Sequence, residues 1–163
     1  MSILNLTYFE IFDIDIGISI DTNDLEKKYL KLQKQFHPDK YASASSVEKT
    51  MAARISTHIN DGYKTLNSLV SRVDYILKIN NFSISENQTF KNNNFLLEQL
   101  EFSEKLEKLD KTKYPIIKEE INNKIENLIV QMKSNLINQE FDILYDNISM
   151  IKFYDKNIKE ISE

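Results

Sequence analysis

Cysteine is absent from this 163-residue sequence. Without a thiol there is no disulfide, no thiolate metal site and no cysteine nucleophile, and two histidines leave little to hold a transition metal. No metal or other cofactor is expected. Glycine and proline are scarce, at Gly17, Gly62, Pro38 and Pro115 only, which leaves few turn formers and few helix breakers. No apolar run approaches the ~20 residues that span a bilayer, and the start Met1-Ser2-Ile3-Leu4-Asn5 lacks a basic region followed by an apolar one. A cytoplasmic protein with no membrane attachment is expected. The net charge of -4 argues against nucleic-acid binding, since phosphates require a basic surface.

What is present is a soluble globular balance, 41% apolar and 28% charged, with the periodicity of long helices, so an all-α protein is expected. Thr7-Tyr8-Phe9-Glu10-Ile11-Phe12 reads as a short helix capped by Thr7 or Asn5. Asp13-Ile14-Asp15-Ile16-Gly17-Ile18 alternates like a strand but has no second strand to pair with, so it is read as a loop. Asp21 caps a helix running to Phe36, with Leu25, Tyr29, Leu32 and Phe36 as its buried stripe. Four lysines, Lys27, Lys28, Lys31 and Lys34, fall in this helix with no acid between the first and the last. This local positive charge on an acidic chain points to an acidic protein partner, a solvated lysine face being the alternative.

The helix then meets Phe36-His37-Pro38-Asp39-Lys40. Proline pushes the preceding residue out of the helical region, so the helix stops at His37, and Asp39 is expected to fold its carboxylate back onto local backbone donors in a stiff exposed turn. Ser45-Ser46-Val47-Glu48 is a capping box that starts a second long helix, with Met51, Ala52, Ile55, Ile59, Gly62 and Leu66 on one face. The two helices are expected to pair antiparallel, with Gly62 admitting a close approach of the facing helix. His58 borders the stripe in a structural role. Leu69, Val73 and Ile76 mark one more short helix.

Periodicity lapses from Asn80 to Thr89, which places a domain boundary there. Three helical segments follow, roughly 92–110, 114–138 and 140–161, and predict an antiparallel three-helix bundle. The middle one is a single stripe of Tyr114, Ile117, Ile121, Ile125, Leu128, Met132 and Leu136, with Pro115 in its first turn. Its neighbours carry extra apolar surface. At about 100° per residue, Phe95, Phe102, Leu106 and Leu109 share one face of the first segment, while Leu96, Leu97 and Leu100 lie about 100 to 200° from Phe95, with Glu101 and Glu104 beside them. On the last segment Phe141, Leu144, Ile148, Ile151, Tyr154, Ile158 and Ile161 form the stripe, and Phe153 projects about 150° from its centre. The off-stripe leucines and Phe153 suggest a binding surface, the alternative being that the first half of the chain or another helix covers them.

A lysine-bearing helix, His37-Pro38-Asp39, a helix carrying Ile59-Asn60-Asp61-Gly62-Tyr63-Lys64-Thr65-Leu66, and Arg72 in the next short helix together resemble a J domain. With Phe95-Leu96-Leu97-Glu98-Gln99-Leu100-Glu101 and Glu104 added, and with Phe9-Glu10-Ile11-Phe12 and Leu32 to Tyr41, the chain resembles the HscB family, J-type co-chaperones of iron-sulfur cluster assembly. The likeness covers nearly the whole chain and is weakest from about Thr112 to Asn147. The lack of cysteine fits the bacterial form. Departures are Gly62 in place of the usual Ala, and Leu97 where Met is common.

The resemblance implies a J domain over 1–79, a linker over 80–90 and a client-binding bundle over 91–163. It implies that His37, Pro38, Asp39, Lys27, Lys28, Lys31, Lys34 and Lys40 engage the ATPase of a DnaK-like chaperone, HscA, and stimulate its hydrolysis, the co-chaperone supplying no catalytic group. It further implies that Leu96, Leu97, Leu100, Glu101, Glu104 and Phe153 bind the iron-sulfur scaffold protein IscU. An enzyme using His37 and Asp39 is the poorer reading, because two residues flanking one proline do not converge on a substrate. A J-domain protein with a different client shares the first half of the argument and differs only in the bundle.

Overall fold

Thr7, rather than Asn5, starts the first helix. Its hydroxyl accepts from the Glu10 N–H while the Glu10 carboxylate accepts the Thr7 N–H at 2.7 Å, a closed capping box ahead of α1 (Tyr8–Ile11). In the computed structural model residues 3–83 and 93–162 are described, and helices are the regular structure among them. Most of the expected 80–90 linker, and the side chain of Phe95, lie outside the described residues. The chain divides into two compact units, Met1–Ile79 and Asn80–Glu163.

In the first unit, Asp13 takes a positive φ of 50° after α1, and 13–20 runs as a loop. The side chain of Asp21 accepts from the N–H groups of Asn23 and Asp24 and caps α2 (Thr22–Phe36). Ser45 and Glu48 close a second capping box at the head of α3 (Ser46–Asn67), and α4 (Leu69–Ile79) follows. Both helices of the hairpin therefore begin where a short polar side chain satisfies otherwise orphaned donors.

α2 and α3 pack antiparallel, as the order of their contacts shows. The Tyr29 hydroxyl donates to Asn60 Oδ1 at 2.9 Å and the Gln33 amide to the same oxygen at 2.6 Å, Ser56 Oγ lies 3.5 Å from Gln33 Oε1, and the rings of Tyr29 and Tyr63 stack 4.1 Å apart. Of the expected α2 stripe only Leu25 is fully buried. Towards its C-terminal end the interface becomes polar, so geometry there is set by directional bonds. On α3 the buried stripe begins at Ala52, and Met51, expected within it, is 43% exposed. One residue is about 100° of rotation, enough to carry Met51 off the face.

Gly62 does sit at a close approach, but α2 is not what approaches. A Cβ there would lie 2.9 Å from Tyr8 Cδ1 and 3.1 Å from Phe12 Cε2, so the α1 segment presses its aromatic rings onto α3. Tyr8 is also stacked on Tyr75 at 4.5 Å and tilted against His58 at 5.2 Å. Its hydroxyl is pushed up from the ordinary value by burial first, then by the charge of Asp61. His58 thus has the packing role expected of it, with Nε2 buried and unbonded. Arg72 is 6% exposed and donates through Nε and Nη2 to the Ile18 carbonyl, at 3.1 and 2.9 Å, and through Nη1 to the Leu66 carbonyl. It pins the 13–20 loop to the end of α3, and burial lowers its pKa. Around it Ile18, Leu66, Val73 and Ile76 are at most 1% exposed, each such side chain contributing about 1.5 to 3 kcal/mol.

The second unit holds α5 (Asn93–Glu107), α6 (Tyr114–Ile137) and α7 (Phe141–Glu160). Asp110 accepts from the Thr112 N–H in the short turn before α6, which holds its carboxyl below the usual range, and Pro115 occupies the first turn of α6. α6 and α7 run antiparallel, with Lys118 against Ser162, Lys124 over the Tyr154 ring and Asn135 bonded to Asn147 in turn. Between them the Glu140 and Gln139 N–H groups return to the Asn135 and Leu136 carbonyls, with Gln139 at φ 58°, a Schellman closure lacking the usual glycine. Ile117, Ile121 and Tyr154 form the core, against which Phe102, Leu106 and Leu109 pack from the α5 side. The expected bundle is present.

Candidate functional site

Two surfaces carry the residues singled out by the sequence, one on each unit. On the first, α2 ends at Phe36, and His37 leaves the helical region at φ -61°, ψ 130°, as the following proline requires. Pro38 then opens a 3₁₀ turn, Pro38–Tyr41. The capping is the reverse of what the sequence suggested. His37 Nδ1 accepts the Asp39 N–H at 3.3 Å, so the imidazole and not the Asp39 carboxylate closes the turn. Asp39 Oδ2 lies 3.5 Å from the same nitrogen, its side chain 90% exposed. The reason is position: His37 stands where an N-cap must stand, and Asp39 is already inside the turn. The tip is held from below by packing on α3.

The lysines divide into two kinds. Lys27, Lys31, Lys34 and Lys40 are exposed. Lys28 bonds Asp24 Oδ2 at 2.8 Å and the Asp13 carbonyl at 2.7 Å, tying the loop to α2; the Asp24 bond, foremost, raises its pKa. The structure therefore sets Lys28 apart from the other four.

On the second unit, Leu96, Leu97 and Leu100 are 50 to 59% exposed on α5. Glu101 and Glu104 beside them are exposed, and among the described residues Glu104 makes a long contact, 4.0 Å, to Lys108. None of the described α5 side chains is fully buried. Phe153 stands differently from the leucines. Off its own helix stripe as expected, it is half-buried, its ring edge-on to Phe102 at 6.3 Å and 74°. α5 lies against that side of α7, and a helix between two neighbours needs two apolar faces. Phe153 still reaches the surface at a recess of about 230 Å³ that Glu101, Phe102 and Tyr154 also line. The structure thus brings Phe153 and Glu101 together, while the three leucines lie outside that recess. Phe102 and Lys124, also lining it, are not among the residues the sequence marked; their signal was visible only as stripe membership and surface charge.

An all-α hairpin with a His-Pro-Asp tip, joined in one chain to a three-helix bundle, is the build of a two-domain J-type co-chaperone. Residues 91–162 match the family model described as the HSCB C-terminal oligomerisation domain. The chain is 34% identical over 161 residues to the co-chaperone protein HscB homolog of Neisseria meningitidis serogroup A, covering 95% of this chain and 96% of that protein. Its fold is similar to that of chaperone HscB from Vibrio cholerae, at 30% identity and TM-score 0.87 over 96% of both chains. It is also similar to the human co-chaperone HscB, at 26% identity and TM-score 0.86 over 97% of this chain and 81% of that one. The chain belongs to the HscB co-chaperone family.

Proposed function

We propose that this protein is the adaptor of iron-sulfur cluster assembly in the cytoplasm, docking an Hsp70-type chaperone of the HscA kind through its first unit and presenting the scaffold protein IscU on its second. The observation that carries the proposal is the pairing of two unlike exposed surfaces in one chain. One is a rigid polar tip, His37-Pro38-Asp39, flanked by Lys27, Lys31, Lys34 and Lys40. The other is an apolar face, Leu96, Leu97 and Leu100 with Glu101 and Glu104, continuing through Glu101 to Phe153.

The tip stimulates ATP hydrolysis allosterically: its contact must favour the hydrolysis-competent state of the ATPase over the resting one, and the catalytic groups are the chaperone's. The lysines steer and orient an acidic partner more than they add affinity. Lys28, already bonded, serves chiefly to fix the helix that presents them. On the bundle, exposed leucines with an acidic rim suit a partner offering apolar side chains beside basic ones.

Steady-state ATPase of the cognate chaperone, measured with this protein, with the scaffold and with both, tests the proposal. Stimulation by this protein alone and synergy with the scaffold are expected; additive or absent effects would overturn it. Stimulation without scaffold synergy would instead favour a J-domain protein with another client.

A further inference from the structure

The α2 surface that presents the lysines is not uniformly polar. Leu30 is 57% exposed, although Leu25, Tyr29, Leu32 and Phe36 on the same helix are all buried or half-buried. At about 100° per residue Leu30 lies about 130° from the centre of that stripe, and Lys27 and Lys34 are its i-3 and i+4 neighbours. The helix face leading to the tip therefore reads lysine, leucine, lysine, with the exposed Glu26 at i-4 on its N-terminal side and Lys31 round on the next face.

We infer that Leu30 is an apolar anchor inside the basic docking face, fitting a shallow apolar depression bordered by carboxylates on the chaperone's ATPase domain. The inference rests on the docking reading given above and names a contact within it. Charge complementarity fixes the kind of occupant: Lys27 and Lys34 on either side of the leucine disfavour a basic surface and select an acid-rimmed one, with Glu26 at i-4 the one carboxylate on that face. The lysines alone would give an association that fades as salt screens them. A leucine transferred from water at their centre adds a part that salt does not screen, worth about tenfold in affinity when its exposed half is buried.

The full-length protein is titrated into the cognate Hsp70-type chaperone by calorimetry at low, intermediate and high salt, as wild type, Leu30→Gln, Lys31→Gln and His37→Gln, with circular dichroism confirming equal helix content. Leu30→Gln is expected to weaken binding about tenfold at every salt concentration, leaving the slope of log affinity against log salt as in the wild type. Lys31→Gln is expected to flatten that slope. Wild-type affinity for Leu30→Gln at all three concentrations, with a loss in His37→Gln, overturns the anchor while the docking reading stands. A loss for Leu30→Gln that disappears at high salt also overturns it. Absence of binding by the wild type overturns the docking reading itself.

Discussion

In the first unit directional bonds fix the backbone of the proposed docking tip, and in the second the proposed client-binding side chains are left uncovered. In the hairpin every approach to the tip is fixed by a directional bond: Asp21 at the start of α2, the Tyr29–Asn60–Gln33 cluster between the helices, the His37 ring on the Asp39 N–H, and the Ser45–Glu48 box where α3 begins. On α5 the corresponding residues are leucines half in water. A contact that must switch another protein's state depends on geometry, whereas a contact that must hold a client depends on apolar area waiting to be covered.

That contrast predicts lesions that separate cleanly, and these have the largest effects. His37→Gln should abolish stimulation of the chaperone while scaffold affinity stays as in the wild type and loss of the His37 cap lowers stability by no more than about 1 kcal/mol. Leu96→Ala with Leu100→Ala should do the opposite, reducing scaffold affinity at least a hundredfold by calorimetry and leaving stimulation by the J domain intact. Because these side chains are exposed, the stability change should be within about 0.5 kcal/mol. Undiminished scaffold affinity in the double variant would sink the role assigned to the patch.

Next in size is Arg72→Leu, which removes the three bonds that join the 13–20 loop to α3 and strands the Ile18 and Leu66 carbonyls. With bonds from a charged donor at about 1.5 to 3 kcal/mol each, partly offset by apolar gain, a loss of about 3 to 5 kcal/mol is expected. Hydrogen exchange should show it in the first unit only. Protection lost equally across 93–162 would mean the two units are not separately stabilised.

Acid should also discriminate between the units. Glu10 is held below its ordinary pKa by its bonds to Thr7, the backbone one foremost, and Glu48 by its bonds to Ser45, the hydroxyl one foremost. Groups depressed on folding contribute stability that is complete above their unfolded values and is lost as pH falls through the folded ones. In the second unit Asp110 is held low in the same way by Thr112, and against it stands Asp155, whose pKa burial raises despite Lys159. A raised carboxyl acts in the other sense, its contribution being present at low pH and lost as pH rises through the folded value. Below the ordinary carboxylate range, amide NMR signals of 3–79 should therefore broaden at higher pH than those of 93–162.

How much of this was legible in the sequence follows the same division. Caps, stripes and the stop at Pro38 are local, so Asp21, Ser45–Glu48 and the helix ends could be read from spacing alone. The leucines of α5 were legible because they break a periodicity. What stayed hidden depends on which element comes to lie where. Nothing in the order of residues says that Phe153 meets Phe102, that Lys28 turns back to the Asp13 carbonyl, or that the rings above Gly62 belong to α1. Leu30 belongs with the α5 leucines: about 130° off the α2 stripe, it too breaks a periodicity, and it is 57% exposed.

The smallest effects come from glycine, and they should have opposite signs in the two units. Alanine at Gly62 gains about 1 kcal/mol of helix propensity, but its Cβ would stand 2.9 Å from the Tyr8 ring and 3.1 Å from Phe12, which is 1% exposed. Tyr8 cannot simply swing away, since Tyr75 is stacked on it and His58 lies beside it. Overpacking of this kind costs about 1 to 3 kcal/mol, so Gly62→Ala should lower stability by about 1 kcal/mol net. Gln139 at φ 58° is the converse case, a residue with a side chain where the α6–α7 closure favours glycine. Relief of that strain exceeds the extra freedom glycine gives the unfolded chain, so Gln139→Gly should raise stability by about 0.5 kcal/mol. Urea unfolding of both variants decides the matter. A Gly62→Ala protein more stable than the wild type would mean that the α1 rings yield, and that the first unit is less tightly fixed than its hydrogen bonds imply.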